Sequence, residues 1–122
     1  MPNKARLSIK DLKKLILTAL NDMKAVDVVE LDVMGKTSVT DILIIAGGTS
    51  SRHVKSIAAN VALETKKVGN QPLGVEGEAQ GEWVLVDLGD IVVHVMQPHV
   101  RQFYDLEKLW NFDESAEASA EN

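Results

Sequence analysis

Between Thr40 and Val68 the sequence TDILIIAGGTSSRHVKSIAANVALETKKV sets glycines, hydroxyls and cations in the order that anion sites use. Phosphate-binding loops place backbone N–H groups and a helix N-terminus around the anion. Here Gly47-Gly48 ends an apolar run, and Thr49, Ser50 or Ser51 can cap a following helix. Arg52, His53 and Lys55 fall in the first turn of that helix. Cations there oppose the helix dipole and cost stability unless an anion or acidic partner is near. These three residues are therefore candidates for an anion or RNA contact. The nucleotide fingerprints G-x-x-x-x-G-K-[ST] and G-x-G-x-x-G are both absent. The same residues equally make an ordinary strand-to-helix turn with caps and solvated bases.

Other chemistries fare less well. Metal-assisted transfer needs two or three converging carboxylates. Asp87 and Asp90 are close in sequence, but Asp90 belongs to a turn and points independently of Asp87. His53, His94 and His99 show no short-spaced ligand pattern, and no G-x-S-x-G elbow occurs. With no cysteine, disulfides and thiolate metal sites are excluded. No catalytic group, metal site or cofactor is expected.

The elements that position these residues follow from periodicity. Ser8 with Asp11 gives a capping pattern before Ile9, Leu12, Ile16, Ala19, Leu20 and Met23, which recur at helical spacing. Asp27 to Val33 alternates as a half-buried strand, with Val29, Leu31 and Val33 on one side. Ile42 to Ala46 is apolar at every position, which predicts a central strand with helices above and below. Val54, Ile57, Ala58, Val61, Ala62 and Val68 mark the stripe of the second helix, closed by Gly69. Pro72 to Gly77 reads as a short strand or an extended link.

Glu82 to Leu88 and Ile91 to Met96 are joined by Gly89-Asp90, a two-residue loop with glycine first, which fits a tight hairpin. Counting outward pairs Leu88 with Ile91, Asp87 with Val92, Val86 with Val93, Leu85 with His94, Val84 with Val95 and Trp83 with Met96. One face is then wholly aliphatic and becomes core. The other carries Trp83, Leu85, Asp87, Val92, His94 and Met96. It is either a partner surface with an apolar centre and polar rim, or a second core under the last helix. That helix starts at Pro98 and runs through Tyr104 to Trp110, either unbroken or restarting at Asp105.

The bulk composition bounds the rest. A chain of 122 residues makes one domain. Its net charge of −5 argues against a broad nucleic-acid surface and suits a basic partner. The start, MPNKARL, lacks the apolar core of a signal peptide, so the cytoplasm is expected. Residues 1–110 read as the domain and 111–122 as an acidic, disordered tail.

Three blocks in order, GTSSRHV, GVEG and DLGDIVVHV, within TSVTDILIIAGGTSSRHVKSIA, PLGVEGE and WVLVDLGDIVVHVMQPHVRQFYDLEKLW, closely resemble the ribosomal silencing factor (Iojap-related) family. The likeness spans about Leu31 to Trp110. It implies a small mixed-sheet α/β fold of about five strands with helices packed on it, similar to nucleotidyltransferases but without their catalytic carboxylates. It also implies a translational repressor rather than an enzyme. Such a protein binds the large ribosomal subunit through the universal large-subunit protein numbered fourteen, and blocks joining of the small subunit when nutrients are scarce. The alternative is a nucleotidyltransferase-like nucleotide-binding enzyme, using the Gly47-Gly48 turn for phosphate and Asp87 for metal. On the first reading the contact is placed at Trp83, Asp87, Asp90, His94 and Met96, extended by Tyr104, Glu107 and Trp110. Arg52, His53 and Lys55 would give a minor ribosomal RNA contact. The free protein could pair with itself through the mixed face as a homodimer.

Overall fold

A computed structural model of the chain describes residues 7–35 and 40–104, with the backbone alone at Phe103 and Tyr104. The elements are α1 (Ile9–Asp22), β1 (Val26–Asp32), β2 (Ile42–Gly47), α2 (Ser51–Lys67), β3 (Gly74–Glu76), β4 (Trp83–Asp87), β5 (Ile91–Met96) and α3 (Pro98–Tyr104). Among the described residues the strands form one mixed sheet in the order β1-β2-β5-β4-β3. The β2–β5 pair is parallel and the other three pairs are antiparallel.

Local chemistry sets the helices. The Asp11 backbone N–H donates to Ser8 Oγ at 3.1 Å, and the His53 N–H donates to Ser50 Oγ at 3.0 Å, so α1 and α2 each start on a serine cap. The buried stripes, Leu12, Ile16, Ala19 and Leu20 on α1 and Val54, Ile57, Ala58, Val61 and Thr65 on α2, lie at three- and four-residue spacing. Both helices press on the same side of the sheet, against Ile44, Ala46, Val84, Val86, Ile91, Val93 and Val95. Thr65 is buried there because its hydroxyl donates back to Val61 O at 2.9 Å.

The hairpin has the register expected from its turn, from Trp83 opposite Met96 to Asp87 opposite Val92, closed by Leu88 N–H donating to Ile91 O. Gly89 adopts φ +87°, which only glycine takes without strain, and Asp87 Oδ1 accepts from its N–H at 2.9 Å.

One expectation needs correction. Helices do lie above and below β2, α1 and α2 together on one side and the short α3 on the other, but β2 is not the middle strand of the sheet. The α3 side holds the smaller cluster of Ile45, Met96 and Val100. The most enclosed strand is β5, buried at all six positions, because it sits between β2 and β4. The first strand forms a sheet edge and is half-buried as its alternation implies, with Val29 and Leu31 partly covered and Val28 on the exposed side. Its ladder slips between Val26 and Val29, where Asp27 takes φ +48°, and Arg101 donates its guanidinium to the carbonyls of Val26 and Asp27. Val33 is buried but lies just past the strand end.

Candidate partner-binding face

The strand–turn–helix junction closes on itself. Gly48 N–H donates to Met96 O at 2.9 Å, Thr49 N–H to His53 Nδ1 at 2.9 Å, and Val54 N–H to Ser50 O at 2.9 Å. With Nδ1 accepting, His53 Nε2 donates to Met23 O, 2.8 Å away just past the end of α1. Both ring nitrogens of His53 are thus used within the chain, tying α1 to α2. A Cβ at Gly48 would lie 2.7 Å from Val54 Cγ2, so the glycine lets the helix pack down on the turn. Arg52 and Lys55 remain exposed beside it. The backbone donors of Gly48, Thr49 and His53, three of those that would cradle a phosphate, already serve the protein's own acceptors.

The mixed face of the hairpin is arranged differently. Trp83 and His94 lie diagonally across β4 and β5, since Trp83 pairs with Met96 and Leu85 with His94. Trp83 Nε1 donates to His94 Nδ1 at 2.9 Å, with ring centroids 5.8 Å apart and planes at 47°. Diagonal neighbours at this spacing are within reach of aromatic side chains. His94 is 9% exposed, and burial lowers its pKa from 6.5 to about 4, so its ring is neutral at pH 7. Trp83 is half-buried and backs onto the Ile45–Met96–Val100 cluster.

The segment before Trp83 is pinned from three sides. Ser51 Oγ donates to Gln80 O, Gln97 Nε2 donates to Gly81 O, and Gln97 N–H donates to Glu82 O, each at 3.0 Å. Gly77, at φ +89°, runs so close that a Cβ there would lie 2.1 Å from Trp83 O. Gly77, Gln97 and Arg101 were not among the sequence candidates. The positive φ of Gly77 was foreshadowed only by its glycine identity, and the partners of Gln97 and Arg101 are remote in sequence.

The other expected site residues spread out. Met96 is fully buried beneath Trp83 and forms the floor of the face. Asp87 is half-buried and caps the hairpin turn, four residues and roughly 13 Å along the strand from Trp83. The Asp90 side chain is exposed, while its carbonyl accepts from Asp41 N–H, Ile42 N–H and Thr40 Oγ. The side chain of Tyr104, and all of Glu107 and Trp110, lie outside the described residues. Trp83, His94 and Met96 thus form a centre, with the two aspartates at the far end of the hairpin.

Two depressions lie elsewhere among the described residues. One, about 310 Å³, is lined by Gly69, Asn70, Gln71, Leu73, Leu88, Gly89 and Asp90. The other, about 260 Å³, is lined by Lys55, Ala58, Ala59, Ala62, Val75, Glu78 and Val84. Among the described residues no three His, Asp or Glu side chains converge as a metal site would require.

The profile of the family described as "Ribosomal silencing factor during starvation" matches residues 6–122. The chain belongs to that family. It is 47% identical over 104 residues to the ribosomal silencing factor of Chromobacterium violaceum, covering 85% of each chain. It is 46% identical to that of Haemophilus influenzae, covering 81% of this chain and 97% of the relative. A crystal structure of the Chromobacterium violaceum protein CV0518 superposes with a TM-score of 0.84 at 47% identity, over 86% of this chain and 88% of that one. More distantly, the mouse "Mitochondrial assembly of ribosomal large subunit protein 1" is 32% identical over 88% of this chain, which spans half of that longer protein. Ribosomal silencing factors are by name regulatory proteins rather than enzymes, which fits a site built of a tryptophan, a neutral histidine and an apolar floor. Within the described residues of this silencing factor, no helix is long and apolar enough to cross a membrane.

Proposed function

We propose that this silencing factor represses translation by binding the large ribosomal subunit through the universal large-subunit protein numbered fourteen. Bound there, it blocks association with the small subunit, above all when nutrients are limited. The observation that carries the reading is the Trp83–His94 face of a chain in this family: a half-buried indole held by a neutral imidazole over an apolar floor. Interfaces concentrate their energy in such aromatic anchors. Asp87 and Asp90, with Glu107 and the aromatic residues Tyr104 and Trp110 further along the chain, extend the surface toward a basic partner. Steric blocking needs no catalytic group. The sheet serves as a nucleotidyltransferase-like scaffold, with Arg52 and Lys55 left for a minor ribosomal RNA contact. In the free protein the same face would permit a homodimer that competes with the ribosome. The cytoplasm, where ribosomes are made and used, is the site of action.

The test is gradient sedimentation with separated subunits. The protein is expected to travel with the large subunit, to lower the yield of joined ribosomes, and to bind more loosely as salt rises. Failure to travel with large subunits at low salt removes the proposal.

A further inference from the structure

The Trp83–His94 contact fixes more than the position of a ring. An indole nitrogen only donates, so His94 Nδ1, 2.9 Å away, is the unprotonated ring nitrogen and Nε2 carries the proton. Among the described residues Nε2 makes no hydrogen bond. Among the described residues no buried side-chain nitrogen or oxygen lacks a partner. Nε2 therefore keeps a path to solvent, although His94 as a whole is nearly enclosed. It is a fixed donor beside apolar neighbours, with Ile45 opposite on β2 and Met96 two residues on.

We propose that the Trp83 indole locks His94 as the Nε2–H tautomer, and that this N–H donates to a neutral oxygen of the partner, a backbone carbonyl, hydroxyl or carboxamide. The inference rests on the reading above that this face meets the large subunit. A neutral donor suits that setting, because an imidazolium would repel a basic partner and lose more hydration on burial. A neutral acceptor matches it without leaving a charge uncompensated in the closed interface. Trp83 thus acts twice, as an apolar anchor and as the group that sets the polarity of its neighbour. His94 is a specificity-determining residue rather than a packing one.

A long-range ¹H–¹⁵N correlation of the imidazole in the free protein reads which nitrogen carries the proton, and sedimentation with separated large subunits reads binding. Wild type is expected to show Nε2–H alone. Trp83→Phe keeps the aromatic packing but removes the indole donor. It should give mixed tautomers and binding about five- to tenfold weaker, the range for one hydrogen bond. His94→Leu should weaken binding by a similar factor, and the double variant by little more than either single one, because both changes break one relay. Thermal unfolding confirms that each variant is folded. A protonated Nδ1 in wild type overturns the inference. So does unchanged binding by Trp83→Phe when Trp83→Ala loses binding, a result that leaves the face itself standing. If Trp83→Ala binds like wild type, the proposed face is wrong as well.

Discussion

Gly77 supplies a direct test of how Trp83 is held. At φ +89° any other L-residue is strained by roughly 1–2 kcal/mol. A Cβ there would also lie 2.1 Å from Trp83 O, where real Cβ contacts stay beyond 3.0 Å, so one of the two backbones must move by about 0.9 Å. Overpacking against backbone adds roughly 1–3 kcal/mol, since neither side can rotate away. Gly77→Ala is therefore expected to cost about 2–5 kcal/mol in urea unfolding. At roughly 4 °C per kcal/mol, Tm should fall by about 8–20 °C. Gly74, three residues earlier on β3, is the control. Its Cβ would meet nothing within 4 Å and its φ is not positive, so Gly74→Ala should stay within about 0.5 kcal/mol of wild type. If the two variants have the same stability, the argument that Gly77 lets the chain approach Trp83 is refuted.

Four further outcomes are expected. His94 stays neutral in the folded protein down to about pH 4, whereas the unfolded chain protonates it near 6.5. The unfolded state thus binds the proton first, and its contribution of up to about 3 kcal/mol is full above pH 6.5 and lost as pH falls to 4. His94→Gln should flatten the pH dependence of urea unfolding across that window. Ser50→Ala removes the α2 cap and should cost about 1 kcal/mol by the same assay. Thr40→Val loses a hydroxyl that donates to Asp90 O at 2.8 Å in a buried position, so about 1–2 kcal/mol of stability should go with it. Finally, Asp113, Glu114, Glu117 and Glu121 hold four of the negative charges, and residues 1–112, with thirteen bases and fourteen acids, carry a net charge of only −1. Deleting residues 113–122 should therefore shallow the salt dependence of large-subunit binding, measured by sedimentation from low to moderate salt.

The features legible in the sequence were those set by short-range rules. The Gly89-Asp90 turn fixed the whole β4–β5 register, and through it the pairing that brings Trp83 near His94. Ser8 and Ser50 began their helices as hydroxyl caps do. Features set by distant contacts were not legible. An apolar run such as Ile42–Ala46 shows that both faces are covered, but not that both long helices choose the same one. The cations after Gly48 read as an anion site because His53 has its second partner, Met23 O, thirty residues away. The bulge at Asp27 is held by Arg101, seventy-four residues distant, and no local pattern announces it. Met96 looked like part of a surface patch because alternation places it beside Trp83. Only the α3 contact with Val100 shows it to be floor.

The position of β5 also governs when the fold can form. This strand is the sole bridge between the β1–β2 pair and the β4–β3 pair among the described residues, yet it is the last strand to be synthesised. Until Ile91 to Met96 has emerged, β2 has no parallel neighbour, and the apolar undersides of α1 and α2 lack the middle of the sheet they cover. Closing that parallel pair joins segments almost fifty residues apart, a non-local step of the kind that slows folding and leaves strand edges open meanwhile. A chain whose family silences ribosomes thus completes its own sheet only when about four-fifths of it has been translated.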